Sequence, residues 1–534
     1  MNALSSSLGQ GAYSTLPPTL TERLAKWLQW PAAIALMLGA LYLVFVIYTT
    51  GQAAWAVGLL ALFGAGFYVY LSRGGFAWRY LFPGVAGMLV FIAFPLVYTA
   101  QIGFTNYSST HLLSESRVRE YLLEQRDAVE DQVLGYSLHA SGAEYRLALR
   151  APQDGSPEAA PHWVSPPLAL RAGKELRVEL AAADAAAPPL NAALPLPELI
   201  QHREALAGLV LALPDASAPF RELRYLGLRE FGPVKPLWTA NADGSLTRAL
   251  DAAVFKPNRD TGFFESASGE VLQPGFKAFI GVANYARMLV DAEFRGPFLS
   301  IFSWTVVFSA LTVVFATAIG MLFAVMLNWE GMRFRTTYRT LLFLPYAVPG
   351  FISILVFKGL FNQNFGEINA ILDALFGVKP AWFADPLLAK TMLLIVNVWL
   401  GYPYIMILCS GLLKAIPADL YEASALAGAS PFTNFFKITA PLIIKPLAPL
   451  LVSAFAFNFN NFVLIALLTD GRPDFLSTKL PAGQTDILVS YTYRIAFKDS
   501  GSDFGLAAAI STLIFFLVAA LSLINLRLSA KAQK

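Results

Sequence analysis

Eight apolar runs, each long enough to cross a bilayer, leave this chain few ways to fold. A hydrocarbon core of roughly 30 Å takes about 20 residues of α-helix. Stretches of that order lie near 30–49, 52–72, 80–100, 299–327, 341–359, 389–411, 443–468 and 505–526. Backbone N–H and C=O groups find no water inside lipid, so these spans must be helices that satisfy themselves. Composition agrees: 56% of the 534 residues are hydrophobic and 14% charged, against about a quarter charged in soluble domains. The expected fold is an all-α polytopic membrane protein with eight transmembrane helices. The fifth run, with Pro345 and Pro349, is the least regular. The run from Pro31 to Tyr48 is long for a signal-peptide core and a second run follows at once, which favours an uncleaved first helix.

Orientation follows from the basic residues between runs. Alternate connections hold Arg23 and Lys26, Arg73 and Arg79, Arg333, Arg335 and Arg339, Lys414 and Lys437, and Arg527, Lys531 and Lys534. Only Glu22, Glu330, Asp419 and Glu422 accompany them. The positive-inside bias therefore puts both termini in the cytoplasm. The connection 469–504 balances Asp470, Asp474, Asp486, Asp499 and Asp503 against Arg472, Lys479, Arg494 and Lys498, and falls outside. Parity also places a long water-soluble insertion outside. Three regions result: 1–100 with a cytoplasmic tail and three spans, an insertion over 101–275, and 276–534 with five spans and a cytoplasmic loop over 412–441.

The insertion reads as mixed α/β or mainly β. A helix is expected near 116–127 and another over 197–211. Alternation at Tyr145, Leu147 and Leu149, and at Leu176, Val178 and Leu180, predicts half-buried strands, with another near Leu223 to Leu228. Ala181 to Pro197 reads as an exposed loop. Apolar residues from Phe276 to Leu289, with Lys277 and Arg287 among them, predict a helix at the outer interface or packed on the inserted domain.

Several chemistries are disfavoured. Cys409 is the single cysteine, which excludes an internal disulfide framework and a thiolate cluster. His111, His139, His162 and His202 all lie outside the long apolar runs, so a metal site in the membrane is not expected. A net charge of +3 gives no field that calls for a nucleic-acid partner. The sequence holds no GxxxxGK[ST], HExxH or GxSxG motif, which points to a pathway rather than a catalyst.

Three constellations stand out. In the seventh run, Phe457, Asn458 and Asn461 fall three and four apart, with Ser453 one turn earlier. Amides in hydrocarbon need partners, so these residues face the bundle interior or a wet cavity. Aromatic faces beside amides would suit a polyhydroxylated solute, and asparagines that bind helix to helix are the other reading. In the sixth run, Leu400-Gly401-Tyr402-Pro403-Tyr404 predicts a kink, serving either a binding site or packing. Between them, Asp419 or a neighbour would cap a short helix running through Ala427, Gly428 would close it and Pro431 would bar its continuation.

Glu422-Ala423-Ser-Ala-Leu-Ala-Gly428, with Ile438 and Pro441 beyond it, resembles the EAA loop of ABC importer permeases. Leu344 to Pro349, Phe357 to Gln363, Val378 to Phe383, Trp399 to Tyr404, Phe455 to Asn461 and Tyr491 to Phe497 narrow the resemblance to the larger permease of bacterial maltose/maltodextrin importers. That resemblance implies an inner-membrane subunit paired with a second permease resembling MalG, above two copies of an ATPase resembling MalK. A periplasmic maltose-binding protein would deliver sugar, and the insertion over 101–275 would be periplasmic and help hold it. Glu422, Ala423 and Gly428 would belong to the coupling helix seated on the ATPase. Leu400, Gly401, Tyr404, Phe457, Asn458 and Asn461 match positions expected to line the sugar site. The chain itself would bind no cofactor, ATP and Mg being used by the partner ATPase, and its only other contact would be membrane lipid. An ion-coupled secondary transporter would call for membrane-embedded acids or an inverted repeat, neither evident. A membrane-anchored enzyme would call for catalytic spacing among the inserted histidines and acids, and none is recognisable.

Overall fold

The computed structural model describes residues 20–72, 76–129, 132–142, 144–150, 161–170, 173, 175–183, 190–214, 220–227, 230–329, 331–476, 478, 481–498 and 502–532. Arg73, Glu330, Lys479, Asp499 and Lys534, used above for orientation, lie outside the described residues, as do 184–189 of the tract read as an exposed loop. The chain divides into two compact units, Met1–Tyr98 and Thr99–Lys534.

The first unit holds α1 (Leu20–Thr49), α2 (Ala53–Leu71) and α3 (Phe76–Met88); a π-helical turn, Leu89–Ala93, then leads into α4 (Phe94–Gly103). Together α3, the π turn and α4 make one apolar span, Phe76–Gly103. Leu36, Leu60 and Phe91 are exposed, as side chains solvated by hydrocarbon should be, since each helix satisfies its own backbone. Local chemistry sets the tight connections. Gly51 takes φ +80°, the left-handed region that a Cβ disfavours, and donates its N–H to the Tyr48 carbonyl at 3.0 Å. Arg79 donates to the Ser72 carbonyl at 2.6 Å, and the Tyr70 hydroxyl donates to the Arg79 carbonyl at 3.0 Å.

In the second unit, α5 (Glu115–Glu124) opens the inserted domain, capped by Ser114, whose Oγ accepts from the Arg117 N–H. An eight-stranded sheet runs in the spatial order Leu176–Glu179, Leu209–Ala212, Glu222–Gly227, Glu230–Gly232, Leu134–Ser141, Glu144–Arg150, Trp163–Val164, Ala181–Ala182. Only the first pair is parallel. A parallel pair needs a crossover, and α6 (Leu196–Gln201) with α7 (Arg203–Ala207) supplies it. Leu138, Leu147, Leu149, Leu206, Leu211 and Phe231 fill the core beneath. A second sheet is a five-stranded meander from Trp238–Ala240 to Val271–Leu272. It closes on α5 through Val118, Leu122, Phe255, Phe264 and Phe276.

Several local expectations are corrected here. The helix expected over 197–211 ends at Ala207, and Leu209–Ala212 is an interior strand. Its Leu-Val-Leu run is buried in a sheet, which apolar character alone does not separate from a helix. Leu176, which opens an edge strand, is exposed, whereas Val178 on the same strand and Leu180 just beyond it are buried. Ala181–Ala182 is an edge strand paired with Trp163–Val164 rather than loop. The stretch from Phe276 to Leu289 is not one helix: Phe276 and Ala278 pack in the small sheet's core, and the helix α8 begins only at Ala283 (Ala283–Val290).

The remaining helices build the membrane part: α9 (Ala292–Asn328), α10 (Arg335–Ala347), α11 (Gly350–Leu360), α12 (Glu367–Phe376), α13 (Pro386–Leu413), α14 (Ala418–Leu426), α15 (Pro431–Asn434), α16 (Ala440–Phe459), α17 (Phe462–Leu468), α18 (Leu488–Phe497) and α19 (Phe504–Ala532). A π-helical turn, Phe435–Thr439, joins α15 to α16. Among the described residues seven helical spans are long and apolar enough to cross a membrane, and an eighth counts only if α10 and α11, bent by 92°, are one span. The chain is thus an α-helical polytopic membrane protein with a large β-rich insertion. The closest packing joins α9 to α13. A Cβ on Gly320 would sit 2.9 Å from Ile405 Cβ and from the Met406 nitrogen, and Ala316 and Ala324 lie one turn either side. Small residues at this spacing let membrane helices approach through backbone contact.

Candidate functional site

Two extended residues create the site's most irregular wall. Val348 (ψ 133°) and Pro349 (ψ 127°) interrupt the helix between α10 and α11, as expected where proline pushes the preceding residue out of the helical region. The fifth run is therefore a broken pair rather than one helix. Its bend faces a cavity of about 830 Å³ whose other walls are α9, α13 and the junction of α16 with α17. Leu400, Gly401, Tyr404, Phe457, Asn458 and Asn461 all line it.

The seventh span departs from its expected form. A helix over 443–468 would have carried Asn461 one turn beyond Phe457, but α16 stops at Phe459 and Asn461 becomes the cap of α17, its Oδ1 accepting from the Leu464 N–H at 3.4 Å. Phe457, Asn458 and Asn461 still converge on the cavity because the break turns the chain at its edge. In the sixth span, α13 runs through Gly401 and Pro403 as one helix. A Cβ on Gly401 would meet only Ala316 Cβ, at 3.7 Å. Gly401 therefore widens the cavity and is not needed for helix contact.

Polarity in the cavity centres on a residue that sequence reasoning missed. Asn397, 5% exposed, donates to Asn458 Oδ1 at 2.7 Å and to Thr312 Oγ1 at 3.1 Å, and accepts from Asn461 Nδ2 at 3.1 Å. Asn458 also donates to the Ala454 carbonyl at 2.8 Å. The amides thus bind α9, α13, α16 and α17 together, and Asn397, Asn458 and Asn461 also line the cavity. A signal existed: Asn397, Gly401 and Tyr404 are spaced i, i+4, i+7 on one helix face. The aromatic residues differ, with Phe457 72% and Tyr404 43% exposed, leaving ring faces open. No lining residue of this cavity is ionisable at neutral pH. A neutral, aromatic and amide-lined space suits an uncharged solute with many hydroxyls.

The loop between α13 and α16 forms the short helix α14, which carries Glu422 and Ala423. Asp419 is in its first turn; the cap position is Pro417, which makes no side-chain cap bond. Gly428, at φ +70°, closes it. The Gly428 N–H donates to the Ala425 carbonyl and the Ala429 N–H to the Ser424 carbonyl, the paired bonds of a Schellman close. The helix does not continue to Pro431, which instead opens a separate helix, α15, behind a Ser430 cap. The described residues contain no cluster of three or more potential metal ligands.

Comparison with known proteins places the chain. The maltose/maltodextrin transport system permease protein MalF of Yersinia pestis is 49% identical over 520 residues, covering 95% of this chain and 96% of that protein. MalF of Escherichia coli K12 is 50% identical over 507 residues, covering 94% and 96%. This chain belongs to the MalF family. Residues 113–281 match the MalF P2 domain of maltose transport permeases, a stretch that includes α5 and both large sheets. Residues 316–532 match the inner membrane component of binding-protein-dependent transport systems. In MalF terms, α14 and most of the cavity lie in the second region, from the end of α9 to α19. The chain is accordingly a multi-pass inner-membrane transport component.

Proposed function

We propose that the chain is the membrane-spanning subunit of an ATP-driven importer that moves maltose and maltodextrins into the cytoplasm by alternating access. The observation that carries this reading is convergence: six residues from α13, α16 and the cap of α17, which match positions expected of a sugar site by resemblance, line one neutral cavity together with the α10–α11 bend. The rings of Tyr404 and Phe457 would cover the apolar C–H patches of a glucosyl unit, while Asn458 and Asn461 would take its hydroxyls. Both termini would be cytoplasmic and the inserted domain periplasmic, where it would help hold a maltose-binding protein. A second permease and two ATPase copies would complete the assembly, and ATP with Mg would belong to those ATPases. Glu422, Ala423 and Gly428 would carry the ATPase's movement into the membrane. Two states, one open outward and one inward, then need only differ in how α13 and α16 flank the cavity.

An ion-coupled carrier would be favoured by membrane-embedded acids or an inverted repeat, and the lining of this cavity holds no acid. Proteoliposomes holding the assembled transporter, with binding protein outside and ATP inside, should accumulate maltose. Phe457→Ala and Asn458→Ala should each cut the rate at least tenfold, taking one lost contact in the transition as about 1.4 kcal/mol, and should impair uptake more than assembly. Uptake driven by an ion gradient without the ATPase would refute the proposal.

A further inference from the structure

Within this chain α14 buries no residue, so packing does not fix its direction. A nine-residue helix is also too short to be stable alone. Tyr421 and Ser424 are the two residues of α14 that are not fully exposed, and both are tied to the foot of the seventh span. The Tyr421 hydroxyl is hydrogen-bonded to Thr439 Oγ1 at 2.9 Å, and Thr439 is buried. Ser424 Oγ donates to Asn434 Oδ1.

The geometry of the partners explains how both bonds form at once. Tyr421 and Ser424, three apart, share one face of α14. Asn434 and Thr439 are five apart, which in an α-helix of 3.6 residues per turn would put them about 140° from each other. The intervening turn, Phe435–Thr439, is π-helical, and an i→i+5 turn stacks positions five apart almost over one another. The pairing 421 with 439 and 424 with 434 runs antiparallel, as the close at Gly428 requires.

We infer that Tyr421 and Ser424 are positioning residues that clamp α14 to α16, so that a push on α14 moves the seventh span as one rigid lever instead of pivoting at Gly428. The inference rests on reading α14 as the ATPase-coupling helix. From Thr439 the continuous helix rises roughly 28 Å to Asn458, at about 1.5 Å per residue. The clamp therefore links the loop to the cavity wall through one helix, which carries Pro446 and Pro449 on the way.

The test uses the whole transporter in proteoliposomes. It records ATPase retention on purification, ATP hydrolysed and maltose imported. Tyr421→Phe and Thr439→Val should each retain the ATPase yet lower maltose imported per ATP about fivefold, the factor that one hydrogen bond's net contribution supports. The double variant should be no worse than either single one. In a Cys409→Ser background, Ser424→Cys with Asn434→Cys should also be poorly coupled. Bridging its thiols with a short bis(methanethiosulfonate), each thiolate displacing methanesulfinate to form a disulfide, should restore the ratio, and reduction should abolish the gain. Unchanged maltose per ATP in both single variants, or a bridge that stops transport, would overturn the clamp alone. Failure of the unaltered chain to retain any ATPase would overturn the coupling reading and the clamp with it.

Discussion

Asn397 makes three side-chain hydrogen bonds that cross helix boundaries, to Thr312, Asn458 and Asn461. Asn460, two residues after Asn458, is exposed, and its side chain donates to the Ala456 carbonyl of the preceding helix at 3.3 Å. Interhelical hydrogen bonds in membranes average about 0.6 kcal/mol each, so Asn397→Leu should cost about 2 kcal/mol. Asn460→Leu should stay within about 0.5 kcal/mol, as for an exposed site. Thermal unfolding of the purified complex checks both. The same residue marks a limit of the sequence. Phe457, Asn458 and Asn461 are conspicuous because they cluster, whereas Asn397 is a lone amide in an apolar run, and its spacing with Gly401 and Tyr404 gains meaning once its partners on α9, α16 and α17 are in place.

At the scale of elements, the connection from α17 to α18 shows how a loop is held from within. It wraps around Asp486, which is fully buried. The Asp486 carboxylate accepts from the Gly483 N–H at 2.8 Å, from Ser490 Oγ at 2.8 Å and from Arg494 Nη1 at 3.0 Å. Gly471, at φ +79°, has no room for a Cβ beside it, since one would lie 2.2 Å from Asp486 Oδ1. Burial pushes the Asp486 carboxyl up to about 6, against the pull of Arg494. The folded value lies above the ordinary carboxylate range near 4, so the folded state holds this proton more tightly. Its contribution to stability is complete below about pH 4 and is lost as pH rises towards about 6. Unfolding midpoints measured from pH 4 to 7 should therefore fall with pH more steeply in the unaltered protein than in Asp486→Asn; parallel curves would refute this. Element type was otherwise legible where the signal was long. The membrane runs declared themselves because lipid demands unbroken apolar helices. Boundaries within them did not: the break at Pro349 is local to its proline, whereas the break at Asn460 and the sheet placement of Leu209 to Leu211 depend on neighbours distant in sequence.

For the whole molecule, one fold serves two tasks. The β-rich insertion has its own cores around Phe231 and Phe255, while the membrane helices of the second unit leave a neutral cavity lined by helix breaks. The two regions correspond to the two family matches, 113–281 and 316–532. The central claim is that sugar passes through the cavity at Tyr404 and Phe457. The most direct measurement places single cysteines there, Tyr404→Cys or Phe457→Cys in a Cys409→Ser background, and follows thiol labelling in the assembled transporter with and without maltose. Maltose should slow labelling at both positions and leave an Asn460→Cys control unchanged. Equal rates with and without sugar at Tyr404→Cys and Phe457→Cys would contradict the account.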